Sequence, residues 1–533
     1  MEIPDFIKVL LLFTVRVLST SSVLFASSVF VTTPTSAPAS APVISQSHVS
    51  FSIEQDRWVD WVGSGAQNKN QFFFNLLNNL KMITGEPARV RIGADSEDHT
   101  DFNSAIQFSD ATFPPPSQVV PYPEAAQIVV GDNFYRLASL LPAGTQVIWG
   151  VNLGMNNLSA AYLEATALAQ AFASPEMQQA GVALEAIEIG NEPDLYLRHG
   201  LRWYWNPAEY VKEWTAFATN VSLAVRNVLG FTVPFLGISC AESTHTDTGF
   251  SPQSMFKQGI LNSDAGSLLT TVSQHHYSGS FCSGSNGILQ DLMTKSSIRS
   301  NLTVFSTDIA AVHAQGLDYI LGETNSYSCH GAPGVSNTAG AALWALDYAL
   351  FASQIGISRV YFHHGVGNKY NFIQPITLNR SILDARPLPR PLPPHIQPAY
   401  YAAVIAAEAI GDSGATQVVE LDVGSDHVSG YAFYDGGALA RAVLINLRAY
   451  TGSAGERGSV NVVLKFDDID TTTKMTVKRL NIPLANATAG ITWGGQTYET
   501  ADGSVSGDLS VTTVPAGLGV DVFDTEALLL TFL

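Results

Sequence analysis

Cysteine is almost missing from this chain: three residues in 533. That excludes a disulfide framework, which needs dense and paired cysteines. Charge is scarce too, at 14% of residues, against the usual quarter or so. The few charges are lopsided, 27 basic against 46 acidic, for a net −19 at neutral pH. A chain so poor in Lys and Arg is not built to wrap nucleic acid or another polyanion. Beyond the N-terminus no stretch offers eighteen uninterrupted apolar residues, so the body of the chain does not read as a membrane protein. What is present is apolar bulk, 46% hydrophobic and 10% aromatic, enough for a large core and too much for disorder. At roughly 150 residues per domain the length suggests three domains, although one barrel can absorb about 250 or more.

The N-terminus reads as an export signal over residues 1–31. Lys8 precedes the apolar run Val9–Val15, and small residues follow Val23-Leu24-Phe25, although Arg16 interrupts the stretch. Residues 32–45, rich in Thr, Ser, Ala and Pro, read as a linker. Asn157, Asn220, Asn301, Asn379 and Asn486 each open an Asn-x-Ser/Thr triplet. Five acceptor sites behind such a leader favour a secreted glycoprotein.

From residue 46 to about 390, short apolar runs alternate with longer amphipathic ones. The runs are 49–54, 88–93, 145–151, 184–190, 232–239, 269–275, 317–322 and 358–363; helix patterns fill stretches such as 70–83, 160–179, 207–228 and 338–354. Eight strands with intervening helices is the count of a (β/α)8 TIM barrel. An open doubly wound sheet would carry a Gly-rich phosphate turn after an early strand, and none is present. A proline-rich connection follows at 386–394. Residues 395–533 then read as a second domain, an all-β sandwich of about 120 residues preceded by a helix-like 399–410. The segment near 46–55 is placed where it can also touch that domain.

A barrel does its chemistry at the C-terminal ends of its strands. The fourth run ends in Glu188-Ile-Gly-Asn191-Glu192-Pro193, and the seventh in Gly322-Glu323. Two glutamates across one mouth suit glycosidic cleavage, in which a neutral acid protonates the leaving oxygen while a carboxylate meets the anomeric carbon. His275-His276 and His363-His364 suggest a metal, but neighbours on a strand face opposite ways and cannot simply chelate one ion. No metal and no cofactor is expected.

These motifs resemble retaining glycoside hydrolases, and most specifically glycoside hydrolase family 79, the β-glucuronidase and heparanase-like group. The similarity rests on Asn191-Glu192-Pro193, Glu323, Arg91-Ile-Gly-Ala-Asp95, His275-His276-Tyr277 and Gly365-Val-Gly-Asn-Lys-Tyr370, in that family's order along consecutive strands, and on the trailing β domain. Fungal secreted members are the most similar in character. The resemblance implies Glu192 as acid/base, Glu323 as nucleophile and Asn191 as partner of the sugar 2-hydroxyl. His276 and Tyr277 would flank the nucleophile. A uronate carboxylate would be received by the loop Tyr327–Gly334, through Gly331 backbone and the Tyr327 and Tyr370 phenols, with Lys369 an insertion relative to the heparanase pattern. Glu54, Asp95 and Ser96 would bind the remaining hydroxyls. Cys282 and Cys329, on the loops after strands six and seven, form a candidate disulfide that leaves Cys240 free.

The expected activity is a secreted, retaining exo-β-glucuronidase acting on terminal glucuronic acid, or its 4-O-methyl ether, in glycans. A heparanase-like endo-glucuronidase and a carbohydrate-binding barrel without activity stand as alternatives. The partner in each case is a glucuronic-acid glycan, with no nucleic acid and no membrane for the mature form.

Overall fold

Eight of the apolar runs pair in parallel and close on themselves. In the computed structural model, which describes residues 28–453, 455–466 and 473–533, the barrel strands are Val49–Glu54, Val90–Gly93, Gln146–Val151, Ala183–Ile189, Phe235–Cys240, Leu269–Ser280, Asp318–Ser328 and Arg359–His364. We number them one to eight. Strands one to four and eight are buried along most of their length, which is why they read as continuous apolar runs instead of alternating ones. Ile148, Ala186, Leu236, Ile320 and Tyr361 form a plug inside the barrel. The outer faces of the strands pack on helices such as Gln71–Thr84 and Pro207–Leu229. The first of these starts on Asn70, whose side chain caps the Phe73 amide, and stops at Gly85 in the left-handed conformation.

The eighth barrel helix arrives late. Tyr400–Ile410 packs against Gln71–Thr84, with the Tyr400 hydroxyl donating to the Leu76 carbonyl at 2.7 Å. The barrel therefore runs to about residue 410, and the sandwich begins near 417 instead of 395. Between strand eight and this helix, the proline-rich Pro387–Leu392 is itself a strand, antiparallel to Leu378–Arg380. A second excursion follows strand two, where Thr100–Phe102, Ser109–Thr112 and Gln127–Val130 make a three-stranded sheet at the mouth.

The second domain is a sandwich of a seven-stranded and a three-stranded sheet. Val31, Val462, Leu464, Val522, Leu444 and Leu528 are among the residues that fill the space between them. The outer face of the larger sheet rests on the barrel helices Ala339–Gln354 and Tyr400–Ile410 through Tyr431, Phe433 and Val443. Lys295 is buried at this seam, 2.9 Å from Asp347 and 2.7 Å from Glu420.

The start of the described chain departs from the sequence reading. Residues 28–45 are neither leader nor free linker: Ser28–Thr33 pairs in parallel with Ser459–Phe466. Val43 then bridges Gln417, and the Tyr434 hydroxyl donates to the Pro34 carbonyl. Val31 fills the sandwich core, so a run of Ser, Val, Phe and Thr that passed for the tail of a leader is an edge strand. Contact with the sandwich thus comes from residues 28–44, while 49–54 belong to the barrel. The remainder of the expected leader, residues 1–27, lies outside the described residues. Among the described residues, no helix is long and apolar enough to cross a membrane.

Candidate active site

Arg91 organises the floor of the mouth. Val90 and Ile92 pack in the main hydrophobic core outside the barrel, so alternation turns Arg91 inward, where it is fully buried. Its guanidinium donates to Glu188 at 2.5 Å, Glu323 at 2.8 Å, Ser52 at 2.9 Å and Asn191 at 2.8 Å. One buried cation thereby fixes groups from strands one, four and seven. Glu97 lies 4.0 Å from it, inserted where Gly93 and Gly150 leave room; a Cβ at Gly150 would fall 1.8 Å from its carboxylate. With no hydrogen-bond partner of its own, Glu97 is pushed well above the usual carboxylate range, first by burial and then by Glu188.

Glu323 reaches the mouth through an irregularity. Tyr319 and Leu321 face the helices, and strict alternation would send Glu323 with them. The pairing register shifts between Leu321 and Thr324, which turns the carboxylate inward. It accepts from the Tyr277 hydroxyl at 2.7 Å and from Arg91. Burial would raise its pKa; His363, His275, Arg91 and the Tyr277 hydrogen bond outweigh that and bring it to about 2. Burial also drives His275 down to about 4, so near neutral pH that ring carries no charge. The Arg91 guanidinium is the permanent positive charge in direct hydrogen-bond contact, at 2.8 Å.

Glu192 is held differently. Its backbone is left-handed, φ 47° and ψ 52°, and its amide donates to the Ser239 carbonyl. The carboxyl lies 3.0 Å from His275 Nδ1. Burial, the charge of Glu323, then Asp194 and Asp95 push it well above the usual carboxylate range against the pull of Arg91. A carboxyl oxygen of Glu192, a ring nitrogen of His275 and a carboxyl oxygen of Glu323 all lie within 4.8 Å of one another. Such a trio could hold a cation by distance alone. A guanidinium already sits 2.8 Å from Glu323, however, and a second positive charge would have to be placed beside it. Surroundings that lower the pKa of one carboxyl group and raise that of its neighbour are instead what a nucleophile and an acid would require.

Around this pair the expected residues divide. Asn191 is buried, bonded through its side chain to Arg91 and through its amide to Asp98. Asp98 escaped the sequence reading although it positions the turn: its carboxylate accepts from the amides of Leu153, Gly154 and Asn191 and from the Tyr196 hydroxyl. Glu54 accepts from the Ser96 amide and lies 3.5 Å from His363. Asp95 stands exposed at the rim, 3.5 Å from His99. Tyr370 is buried with its ring 5.9 Å from that of Tyr277.

Four expectations are corrected. His276 does not flank Glu323: it lies one residue from both His275 and Tyr277, so it faces the helix layer, stacked on Tyr348 and bonded to its hydroxyl at 2.8 Å. His275 takes the place expected of it. Ser96 is engaged internally, its hydroxyl accepting from the Asp56 amide and its own amide bound to Glu54. The Gly331 amide donates to the Tyr327 carbonyl at 3.1 Å within its turn, so it is not free for a carboxylate. The Tyr327 ring packs under the 279–287 loop, where a Cβ at Gly287 would fall 2.0 Å from its hydroxyl. Lys369 donates to the Val119 carbonyl at 3.1 Å and is sealed from solvent.

The loops around the mouth are tied together. Cys282 and Cys329 form a disulfide with Cα atoms 5.1 Å apart, and Cys240 is free and buried. His330 Nε2 pairs with Glu124 of the excursion after strand two. These contacts wall the mouth over strands seven, eight, one and two.

The family model of the glycosyl hydrolase family 79 C-terminal beta domain matches residues 430–529. A curated beta-glucuronidase of Neurospora crassa is 28% identical over 499 residues, covering 85% of this chain and 84% of its own. One of Aspergillus niger is 29% identical over 477 residues, covering 84% and 82%. Among solved structures, a 4-O-alpha-L-rhamnosyl-beta-D-glucuronidase from Fusarium oxysporum is similar with a TM-score of 0.74 at 24% identity, over 94% of this chain and 100% of that one. A family 51 arabinofuranosidase from Xanthomonas axonopodis pv. citri is similar with a TM-score of 0.61 at 12% identity, over 95% and 100%. Both solved structures share the fold, and the two sequence relatives match this chain along most of their length. With the matched β domain behind a barrel that carries paired glutamates over Arg91, the chain is a glycoside hydrolase whose C-terminal domain matches that of family 79.

Proposed function

We propose that this enzyme is a secreted, retaining exo-β-glucuronidase that removes terminal β-linked glucuronic acid, or its 4-O-methyl ether, from glycans. The observation that carries the mechanism is the approach of Glu192 and Glu323. Oxygen atoms within 4.8 Å of each other suit a direct attack, for which carboxyl groups stand about 5–5.5 Å apart, better than the about 6.5–9.5 Å that leaves room for an inverting water. Glu323, ionised, attacks the anomeric carbon while Glu192, protonated, gives its proton to the leaving oxygen. The glycosyl–enzyme ester is then hydrolysed by a water that Glu192 deprotonates. Tyr277 holds the nucleophile, and Asn191, oriented by Arg91 and Asp98, meets the 2-hydroxyl.

The glucuronide specificity is supported by the two curated relatives, both named beta-glucuronidases. Tyr370 is the reader of the carboxylate. Its hydroxyl accepts from Asn368 Nδ2 at 3.1 Å, which leaves the phenol proton to donate. The walled side of the mouth supports exo action. An endo enzyme for sulfated chains would need an open basic strip, whereas Arg198 is paired with Glu242, Arg202 with Glu213, and Arg91 is buried. Secretion is supported by the leader-like start and by acceptor triplets of which Asn379 and Asn486 are exposed. The test is turnover of aryl β-glucuronide beside the glucoside, galactoside and xyloside. The glucuronide should exceed each of the others by at least about tenfold, as one charge-assisted hydrogen bond allows; a glucoside turned over as fast sinks the reading.

The pH profile follows from the same pair. Glu323 near 2 is ionised throughout the working range. Glu192, raised by burial and by Glu323, acts only while protonated. For a glucuronide with a poor leaving group, kcat/KM should hold on the acid side and decline as pH rises through the Glu192 pKa. A profile rising toward alkaline pH would contradict the assignment.

A further inference from the structure

Two helices of the barrel's outer layer leave an apolar groove open among the described residues. Leu158–Ala173 follows strand three and Pro207–Leu229 follows strand four. Along their seam Leu158, Ser159, Tyr162, Leu163 and Asn220 line a groove of about 300 Å³, the space of about ten waters. Leu158 is 41% exposed, Leu163 44% and Leu223 44%. Asn220, Leu223 and Asn227 share one stripe of the second helix, at i, i+3 and i+7, and Asn227 reaches the Tyr162 hydroxyl across the seam. The exposed leucines therefore lie together, and a cluster of that kind calls for an explanation where a single surface leucine does not. Asn220 stands in the groove wall with its amide held: Nδ2 donates to the Leu158 carbonyl at 2.7 Å. The same residue opens the acceptor triplet Asn220-Val221-Ser222. An attachment point for a sugar and an apolar groove thus coincide.

We infer that Asn220 carries an N-linked glycan whose first N-acetylglucosamine lies in this groove and shields the leucines. The inference rests on the proposed export and adds which acceptor is used and what its glycan does. During synthesis the Asn220 Nδ2 bonds to C1 of the reducing-end N-acetylglucosamine of a polyprenyl-diphosphate-linked oligosaccharide. The C1–O bond to the carrier breaks, the diphosphate leaves with the electron pair, and the nitrogen gives up one proton. One N–H remains to hold the Leu158 carbonyl, so the sugar starts in a fixed direction from the groove wall. Its C–H face and acetamide methyl cover Leu158 and Leu163. The Tyr162 ring gives it a surface to stack on while its hydroxyls stay in water. Asn157, just before the first helix, is the rival acceptor. Its side-chain oxygen caps the Ala160 amide, and the groove is lined by the residues that follow it.

The experiment expresses the full chain in a eukaryotic secreting host. Occupancy is read by peptide mass spectrometry, and apolar exposure by the fluorescence of anilinonaphthalene sulfonate. Asn220 should be occupied in most molecules. Ser222→Ala removes the triplet but keeps Asn220, and costs only a hydroxyl that bonds back to Thr219 within the helix at 3.0 Å. Dye fluorescence of that variant should rise at least about twofold as the groove is uncovered. Ser222→Thr preserves an acceptor and should match the wild type. Trimming every glycan to its first sugar with an endoglycosidase should leave the fluorescence low. An unoccupied Asn220 overturns the inference, as does unchanged fluorescence in Ser222→Ala. A rise in Ser159→Ala alone gives the groove to a glycan on Asn157, and a wild-type dimer that Leu163→Lys dissociates gives it to a second copy; either result overturns it too. Export is judged apart, by whether residues 1–27 deliver the enzyme to the medium. If they do not, the export reading falls, and expression behind the host's own leader then decides occupancy and shielding at Asn220.

Discussion

Glu323→Gln is expected to lower kcat/KM on an aryl β-glucuronide by at least about 10⁴-fold, the scale seen when a nucleophile is removed. An amide nearly matches the carboxylate in shape but cannot attack the anomeric carbon. It also cannot accept from both Tyr277 and Arg91 as the carboxylate does, since one of its ends is a donor. Disruption should therefore stay local, about 1–3 kcal/mol for a mispaired buried group, and the folded state should persist in circular dichroism. A mechanism-based cyclitol of glucuronic configuration should label the wild type once, at Glu323, as read by peptide mass spectrometry. A label on Glu54, Glu97 or Glu192 would overturn the assignment.

Glu192→Ala should divide substrates by their leaving group. Where the aglycone is a strongly acidic phenol, formation of the glycosyl–enzyme needs little protonation and should be nearly spared. Where it is a sugar hydroxyl, the rate should fall by about 10²–10⁴-fold, the usual contribution of a positioned acid. The second step loses its base in both cases, so the ester accumulates and appears as a burst. Azide should restore turnover and yield the β-glycosyl azide, because alanine leaves space for a small anion beside Glu323. His275, whose Nδ1 faces Glu192, remains as a neutral ring near neutral pH and does not replace the lost acid. Equal loss across leaving groups with no azide rescue would remove Glu192 from the role.

The barrel could be read from the sequence because its strands are buried along most of their length and its helices carry ordinary punctuation. The excursions could not. Thr100–Phe102 and Ser109–Thr112 are too short to show a period, and a run of prolines at 387–392 masks a strand that pairs along one edge only. Within the site, Asn191, Glu192 and Glu323 were marked by their place at strand ends. His276 was misread although the alternation used to dismiss a metal also forbids it from facing inward with Tyr277. Arg91 carried a usable signal, a cation between Val90 and Ile92 on a barrel strand. Asp98 carried none, since its four bonds reach residues 55 to 98 positions away. Gly331 looked like an open amide only because its bond to Tyr327 depends on a turn that composition does not reveal.

The N-terminal strand also sets an order of assembly during synthesis. Ser28 lies opposite Asn461, 433 residues downstream. At about 5–20 residues per second that is a delay of roughly 20 to 90 seconds. Late in that interval, once Arg359–His364 and Tyr400–Ile410 are made, the barrel can close while Ser28–Thr33 still has no partner strand. The wait ends later still for the larger sheet. Glu526–Phe532, made after both of its neighbours, lies in its interior between Ala438–Asn446 and Lys474–Asn481. A chain cut before Glu526 would thus keep its barrel residues and lose the middle of the supporting sheet, exposing the edges on either side to pairing with other chains.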